Sequence, residues 1–187
     1  ANKNGIVKIS EIKRIKKYAL SNGIRTIDTA QAYGEGEKRL NKIGINEFIT
    51  LSKLPVTIPG KNRKKWVLEN IKKSLKILNK KFFHAVFVHN TNYLYDKKGG
   101  EIYKGLVTAQ KNGLVKNIGV STYTIEEIKL IIKNFKKFNI IMLPYNIIDR
   151  RPLKSKIFEK LNKLNIEVHT RSVFLQGLLL LNKKEMP

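Results

Sequence analysis

The sequence contains no cysteine, which excludes a disulfide framework and a thiolate metal site. It has no apolar run long enough to span a bilayer, because a Gln and a Gly interrupt the longest run, SVFLQGLLLL. It also lacks a signal-peptide pattern at its start and a Gly-x-Gly-x-x-Gly turn between a strand and a helix. The 187 residues are 42% hydrophobic, enough for one domain with a sizeable core. We therefore expect a soluble, cytoplasmic protein without a metal site.

Acidic residues are scarce beside basic ones. The chain has 14 Asp and Glu against 38 Lys and Arg, for a formal net charge of +24 at pH 7. This excess invites a nucleic-acid interpretation. However, 31 of the basic residues are Lys and 7 are Arg, whereas phosphate and base recognition favours the Arg fork. We therefore expect a solvated lysine surface with a weak, salt-sensitive attraction to polyanions, and no specific nucleic-acid partner.

Apolar spacing predicts strands and helices in alternation. Val67, Ile71 and Leu75 recur at helical spacing, and Thr124 with Glu127 forms a capping-box pattern. The predicted strands lie in IRTIDTA, EFITLSKL, FFHAVFVHN, GLVKNIGVST, NIIMLPYN and NIEVHTRSVF. The predicted helices cover residues 11–21 with Ser10 as N-cap and Gly23 beyond the end, then residues 37–43, 62–80, 101–111, 124–135 and 152–164.

This alternation indicates an α/β fold with a parallel sheet, either doubly wound or a (β/α)8 TIM barrel. The position of the unusual polar residues favours the barrel. Asp28, Lys53, His89, Ser121 and Arg171 all fall near the C-terminal end of a predicted strand. In a barrel these ends converge on one mouth, where such enzymes keep their chemistry.

Asp28 raises a specific question, because a buried carboxylate costs several kcal/mol unless it has a partner. Lys53 ends the next strand, so we expect a buried Asp28–Lys53 ion pair with Tyr33 close to the ammonium group. His89, at the end of the following strand, can form a hydrogen bond with a substrate oxygen. These residue types suit the delivery of a proton to a carbonyl oxygen while another group attacks the carbon.

At this point the sequence resembles the aldo-keto reductase family, and its later strands resemble a bacterial branch of it. GIRTIDTAQAYGEGE is similar to the family signature Gly-x-x-x-Ile-Asp-Thr-Ala…Tyr-Gly-x-x-Glu, and LSK, AVFVHN and GLVKNIGVST resemble later motifs in the right order. The resemblance implies hydride transfer from a nicotinamide cofactor, usually NADPH, to an aldehyde or ketone. It also implies a catalytic set in which Tyr33 is the general acid, Lys53 adjusts its acidity, Asp28 holds Lys53 and His89 orients the carbonyl.

The same resemblance implies a set of cofactor-binding positions. It places Ser121 on the nicotinamide carboxamide, Arg171 where a planar side chain stacks on the ring, and Ser172 where the pyrophosphate begins. Two positions depart from the family pattern. Thr122 stands where an Asn is usual, and Met142 stands where a Gln commonly holds the carboxamide. Met has no strong hydrogen-bonding group.

The six predicted strands resemble barrel strands two to seven. We therefore expect residues 1–187 to form a single barrel domain that is incomplete at both ends, with about six of eight βα units. The 2′-phosphate site that would distinguish NADP from NAD is expected beyond Pro187. Two functions stay open at this stage: a reductase of a small-molecule carbonyl substrate, or a non-catalytic cofactor-binding barrel that acts as a sensor or scaffold. The sequence indicates neither the substrate nor the oligomeric state.

Overall fold

A computed structural model describes residues 5–182, and its six parallel strands pair in chain order. The ends of the predicted single domain, residues 1–4 and 183–187, lie outside the described residues, so that prediction stays untested. The strands are β1 Thr26–Asp28, β2 Ile49–Lys53, β3 Phe83–Val88, β4 Val115–Ser121, β5 Ile140–Pro144 and β6 Glu167–Arg171. They form a curled half-barrel, which confirms the predicted fold class.

Helices connect the strands, because parallel neighbours need a crossover connection. They are α1 Ile9–Ser21, α2 Gly36–Ile43, α3 Arg63–Leu78, α4 Asn92–Tyr95, α5 Gly99–Lys111, α6 Ile125–Asn134, α7 Arg151–Lys154 and α8 Ile157–Lys163, followed by a 3₁₀ segment at Leu175–Leu180. Within residues 5–182, none of them has both the length and the apolarity that a membrane crossing requires.

Side chains alternate between the two faces of the sheet, and each face buries its own apolar cluster. Val86 and Val88 of β3 join the larger cluster, which includes side chains of α3 and α5. Ala85 and Phe87 belong to the smaller cluster, on the concave face. A side chain at Gly119 would collide with the smaller cluster, because an ideal Cβ there would lie 2.6 Å from Ile140 Cγ2 and 2.7 Å from Phe87 Cδ1.

Two predicted helices differ from the structure for local reasons. Helix α1 begins at Ile9 and Ile12 N donates to Lys8 O (3.0 Å), so Ser10 lies inside the first turn instead of capping it. The helix predicted over 152–164 is divided into α7 and α8. Ser155 Oγ donates to Pro152 O (3.0 Å) and Lys156 takes a left-handed φ of 56°. The sequence patterns did not predict α4 or the 3₁₀ segment.

Candidate active site

The C-terminal ends of the strands deliver polar side chains to one mouth of the half-barrel. The last residues of β1, β2, β4 and β6, and the first residue after β3, are Asp28, Lys53, Ser121, Arg171 and His89. This is the end at which parallel barrels hold their reactive groups. Residues far apart in the sequence therefore meet at one surface.

Lys53 lies at this mouth, with 3% of its side chain exposed. Its Nζ donates to Asp28 Oδ2 across the β1–β2 pair and to Thr29 O at 3.2 Å. The predicted ion pair is therefore present, but only its lysine is buried. Asp28 exposes 37% of its side chain, because β1 is the edge of the described sheet.

Tyr33 lies in the turn between β1 and α2. Tyr33 N donates to Ala30 O (3.0 Å), Gly36 N donates to Tyr33 O (3.0 Å), and Gly34 between them has a φ of 57° that favours glycine. Lys53 Nζ is 5.2 Å from the centroid of the Tyr33 ring, within cation–π range. The turn therefore holds a half-exposed phenol beside a buried ammonium group.

His89 follows β3 on the same mouth and is half-buried. Burial lowers the pKa of His89 below its usual 6.5, the positive charges of Lys53 and Arg171 lower it further, and Asp28 opposes them. The imidazole is therefore neutral at neutral pH. Its Nδ1 is buried without a hydrogen-bond partner in the described part of the chain.

Arg171 closes the opposite side of the mouth. Its Nη2 donates to Thr122 O (3.0 Å), and its guanidinium carbon lies 4.1 Å from the centroid of the Tyr123 ring. The stack and the hydrogen bond fix the guanidinium plane. Arg171 Nε is nevertheless buried and unpartnered among residues 5–182. Ser172, which follows it, is exposed and takes a left-handed φ of 58°.

Thr122 and Met142 join β4 to β5. Thr122 N and Thr122 Oγ1 both donate to Met142 O, at 2.8 and 3.2 Å. The Met142 side chain is 4% exposed and belongs to the apolar cluster of the concave face. Ser121 is buried and pairs in register with Met142. The Thr122 hydroxyl proton is thus committed to the backbone, and of these three residues Ser121 is the one whose polar side chain is free of a hydrogen bond within residues 5–182.

A cavity of about 310 Å³ opens beside His89. Tyr123 and Glu127 form one wall of it, and Tyr123 N donates to Glu127 Oε2 (2.7 Å). The other lining residues are Val56, Asn90, Thr91 and Asn92. The cavity places the neutral imidazole beside a space that both polar and apolar side chains line.

The whole chain, residues 1–187, matches the model of the Aldo/keto reductase family. The chain belongs to that family. The sequence resemblance is therefore confirmed.

Individual relatives of this aldo-keto reductase agree with the assignment. D-arabinose 1-dehydrogenase from Saccharomyces cerevisiae is 28% identical over 126 residues, which cover 62% of this chain and 37% of that enzyme. An aldo-keto reductase from Bacillus halodurans, solved in its holo form, is 25% identical with a TM-score of 0.78, covering 96% of this chain and 62% of that one. One from Bombyx mori, solved in complex with NADP, is 21% identical with a TM-score of 0.68, covering 91% and 59%. The chain spans less than two thirds of each.

In this aldo-keto reductase, Lys53 forms an ion pair with Asp28 and lies within cation–π range of the Tyr33 ring. His89 is close enough for the charges of Lys53 and Asp28 to act on it. The roles assigned to these four residues, and to the five predicted cofactor-binding positions, stay predictions. Sequence reasoning missed Tyr123, which fixes Arg171. The signal available was an aromatic residue directly after GVST, at the end of a strand.

Proposed function

We propose that this aldo-keto reductase reduces an aldehyde or ketone to an alcohol with NADPH, and that Tyr33 is the proton donor. One observation carries the proposal: a buried ammonium group, Lys53, contacts both the Asp28 carboxylate and the Tyr33 ring at the mouth of the half-barrel. This is an arrangement that places a proton donor beside a fixed positive charge, where a carbonyl substrate can reach it.

Each residue of the set has a defined task in this proposal. The Tyr33 hydroxyl donates its proton to the substrate oxygen as negative charge develops there. The Lys53 ammonium stabilises the charge left on the phenol, and Asp28 keeps that ammonium in place. The neutral His89 imidazole forms a hydrogen bond that orients the substrate carbonyl. NADPH, when bound, supplies the hydride that the carbonyl carbon receives.

The residues at the mouth fit the nicotinamide end of such a cofactor in part. Ser121 is available for the carboxamide, and Arg171 offers a fixed planar guanidinium with an unpartnered Nε. Exposed Ser172 lies next to Arg171, where the pyrophosphate would begin. Thr122 and Met142 offer little, because one hydroxyl is bonded to the backbone and the other side chain is apolar. We therefore assign the cofactor contact first to Ser121 and Arg171.

The departures from the family pattern at Thr122 and Met142 favour a second candidate, a barrel that binds the cofactor without turnover and acts as a sensor or scaffold. An assay of the complete gene product with NADPH and a series of aldehydes and ketones separates the two. Loss of NADPH absorbance that depends on the carbonyl supports the reductase. Cofactor binding without any such loss supports the sensor. A parallel assay with NADH tests the cofactor preference.

The Tyr33→Phe variant tests the assigned acid, since it removes the hydroxyl and keeps the ring. We expect the rate of carbonyl reduction to fall about 10²–10⁴-fold, the usual contribution of a positioned acid–base group. NADPH binding should be retained. Tyr18→Phe, at an exposed tyrosine of α1, is the matched control and should keep the wild-type rate. A Tyr33→Phe variant with a near wild-type rate would show that another group donates the proton.

The partner is proposed to be a small carbonyl compound, with no specific nucleic-acid or membrane partner. The cytoplasmic location also stays a prediction.

A further inference from the structure

Glu37 is a buried carboxylate that the proposed chemistry does not use. It lies in the first turn of α2 with 4% of its surface exposed. Within residues 5–182, no basic side chain forms an ion pair with it. Its Oε1 instead accepts hydrogen bonds from two hydroxyl groups, Ser52 Oγ at 3.2 Å and Ser74 Oγ. A carboxylate removed from water without a cation is costly, so its retention calls for an explanation.

The two serines belong to different elements. Ser52 lies on β2 and immediately precedes Lys53, whereas Ser74 lies on α3. Leu51 and Lys53 face the concave side of β2, so Ser52 between them faces the helices and meets Glu37. The carboxylate therefore contacts β2 on its helix-facing side, at the residue that precedes Lys53.

Glu37 is also linked through the backbone to the turn that carries Tyr33. Gly36, its neighbour, donates its N–H to Tyr33 O (3.0 Å) and begins α2. A second anchor, Gln31 Nε2 to Asn70 O (2.9 Å), ties the other side of the turn to α3 but does not reach β2. Thr29, at the start of this segment, is bonded to β2 through Leu51 O and Lys53 Nζ, and of the two anchors nearer Tyr33 it is Glu37 that reaches the strand that carries Lys53.

We propose that Glu37 is a positioning residue, whose buried carboxylate sets the separation between Tyr33 and Lys53. The proposal deepens the proposed function. The expected change in rate rests on that function, whereas the expected change in the Tyr33–Lys53 separation does not.

Two substitutions at Glu37, made in the complete gene product, test the proposal. Glu37→Met keeps the length and apolar volume of the side chain but is a poor hydrogen-bond acceptor, whereas Glu37→Gln keeps an oxygen that can accept from both serines. In a crystal structure of the Met variant, we expect Tyr33 to move away from Lys53 by about 1 Å, a displacement that can cost about 100-fold in rate. We expect kcat to fall and KM to change little. The Gln variant should keep the wild-type separation and most of kcat.

Two serine variants complete the design and keep it decisive if the Met variant does not fold. Ser52→Ala removes the contact with β2, so we expect it to displace Tyr33 from Lys53. Ser74→Ala removes only the contact with α3 and should leave the separation and kcat unchanged. If Glu37→Met keeps the wild-type separation of Lys53 Nζ and the Tyr33 ring, the proposal is overturned. If Glu37→Met does not fold, the same result in Ser52→Ala overturns it. If the wild type reduces no carbonyl, the proposed function fails, but the separations still decide the role of Glu37.

Discussion

At the scale of single residues, one ammonium group organises the mouth. Lys53 donates to the Asp28 carboxylate and to Thr29 O, lies over the Tyr33 ring and lowers the pKa of His89 through its charge. Its own burial is possible because these partners replace the water that it loses. Each neighbour therefore depends on the position of this lysine.

The lowered pKa of His89 predicts a pH dependence of stability. The unfolded chain takes up a proton at this residue near pH 6.5, whereas the folded protein does so only at lower pH. The stabilisation is therefore complete above about pH 6.5 and is lost as the pH falls below that value towards the folded pKa. Urea unfolding of wild type and His89→Gln, compared at about pH 7.5 and about pH 5.5, measures it, and the variant should lose less stability on acidification. His84→Gln controls for the loss of an imidazole elsewhere, and equal losses in wild type and His89→Gln would contradict the prediction.

Met142→Gln puts an amide at the position where the family commonly has one. If NADPH binds as proposed, we expect the amide to strengthen its binding by about 0.5–1.5 kcal/mol, the net worth of a hydrogen bond. Without cofactor the amide lies in the apolar cluster, so the free energy of unfolding should fall by about 1–3 kcal/mol. Titration of protein fluorescence with NADPH and urea unfolding of the apo form measure the two effects. Met142→Leu is the control without an amide, and unchanged or weaker NADPH affinity of the Gln variant would mean that another residue already holds the carboxamide.

At the scale of elements, the start of α6 shows how a short sequence pattern positions the side chains that line the cavity beside His89. Glu127 N donates to Thr124 Oγ1 (3.1 Å), which confirms Thr124 as the N-cap, whereas Glu127 Oε2 accepts from Tyr123 N (2.7 Å), one residue before the N-cap position that the predicted capping box requires. Because Tyr123 stacks on Arg171, the cap that begins the helix also fixes an aromatic side chain of the mouth. The start of α6 and the geometry of the candidate site are therefore coupled.

Thr124→Ala removes this cap. We expect the free energy of unfolding to fall by about 0.5–2 kcal/mol, the usual cost of losing a Thr N-cap. Thr108→Ala, within α5, is the matched control and should cost less, because Ala favours a helix interior. Urea unfolding of both variants measures the difference. Equal stability of Thr124→Ala and wild type would show that the Glu127 carboxylate alone begins the helix.

At the scale of the whole molecule, the described sheet is open. β1 pairs only with β2 and β6 only with β5 within residues 5–182. Large apolar side chains near the β6 edge are exposed, among them Phe174 at 56% and Leu180 at 69%. Unpaired strand edges beside apolar surface promote association. The net charge of +24 opposes it, but salt screens that repulsion beyond about 10 Å at 0.1 M.

We therefore expect residues 1–187, expressed by themselves, to self-associate or to be unstable, more so at higher salt, and to show no measurable NADPH-dependent turnover. Glu167 N donates to Asn139 O across the β5–β6 pair, so the N–H of Thr170 faces the open edge. Thr170→Pro removes that donor without breaking the pair and should reduce association, whereas Thr170→Ala should not. Size-exclusion chromatography at two salt concentrations, with a reductase assay on the same fractions, measures both. A cooperative, active monomer would contradict the expectation.

The sequence by itself determined the order of the elements and the chemistry at their ends. Near-continuous apolar runs mark strands that are buried on both faces, and apolar residues at a period of about 3.6 mark the buried face of a helix, so six strands and most of the helices could be predicted locally. The Asp, Lys and His near the C-terminal ends of three of these strands predicted where the polar mouth would lie, since parallel strands end at one side of a sheet. The family motifs, which occur in the right order along the chain, then identified the family, which local patterns of polarity cannot do.

Tertiary structure alone decided which side chains contact each other across the sheet. The two serines on Glu37 are 15 and 37 residues away along the chain, and the guanidinium on Tyr123 comes from β6. The partner of the Thr122 hydroxyl and the exposure of Asp28 likewise depend on strand pairing. Strand register and helix packing bring such groups together through contacts that are distant in sequence, and residue periodicity carries no information about them.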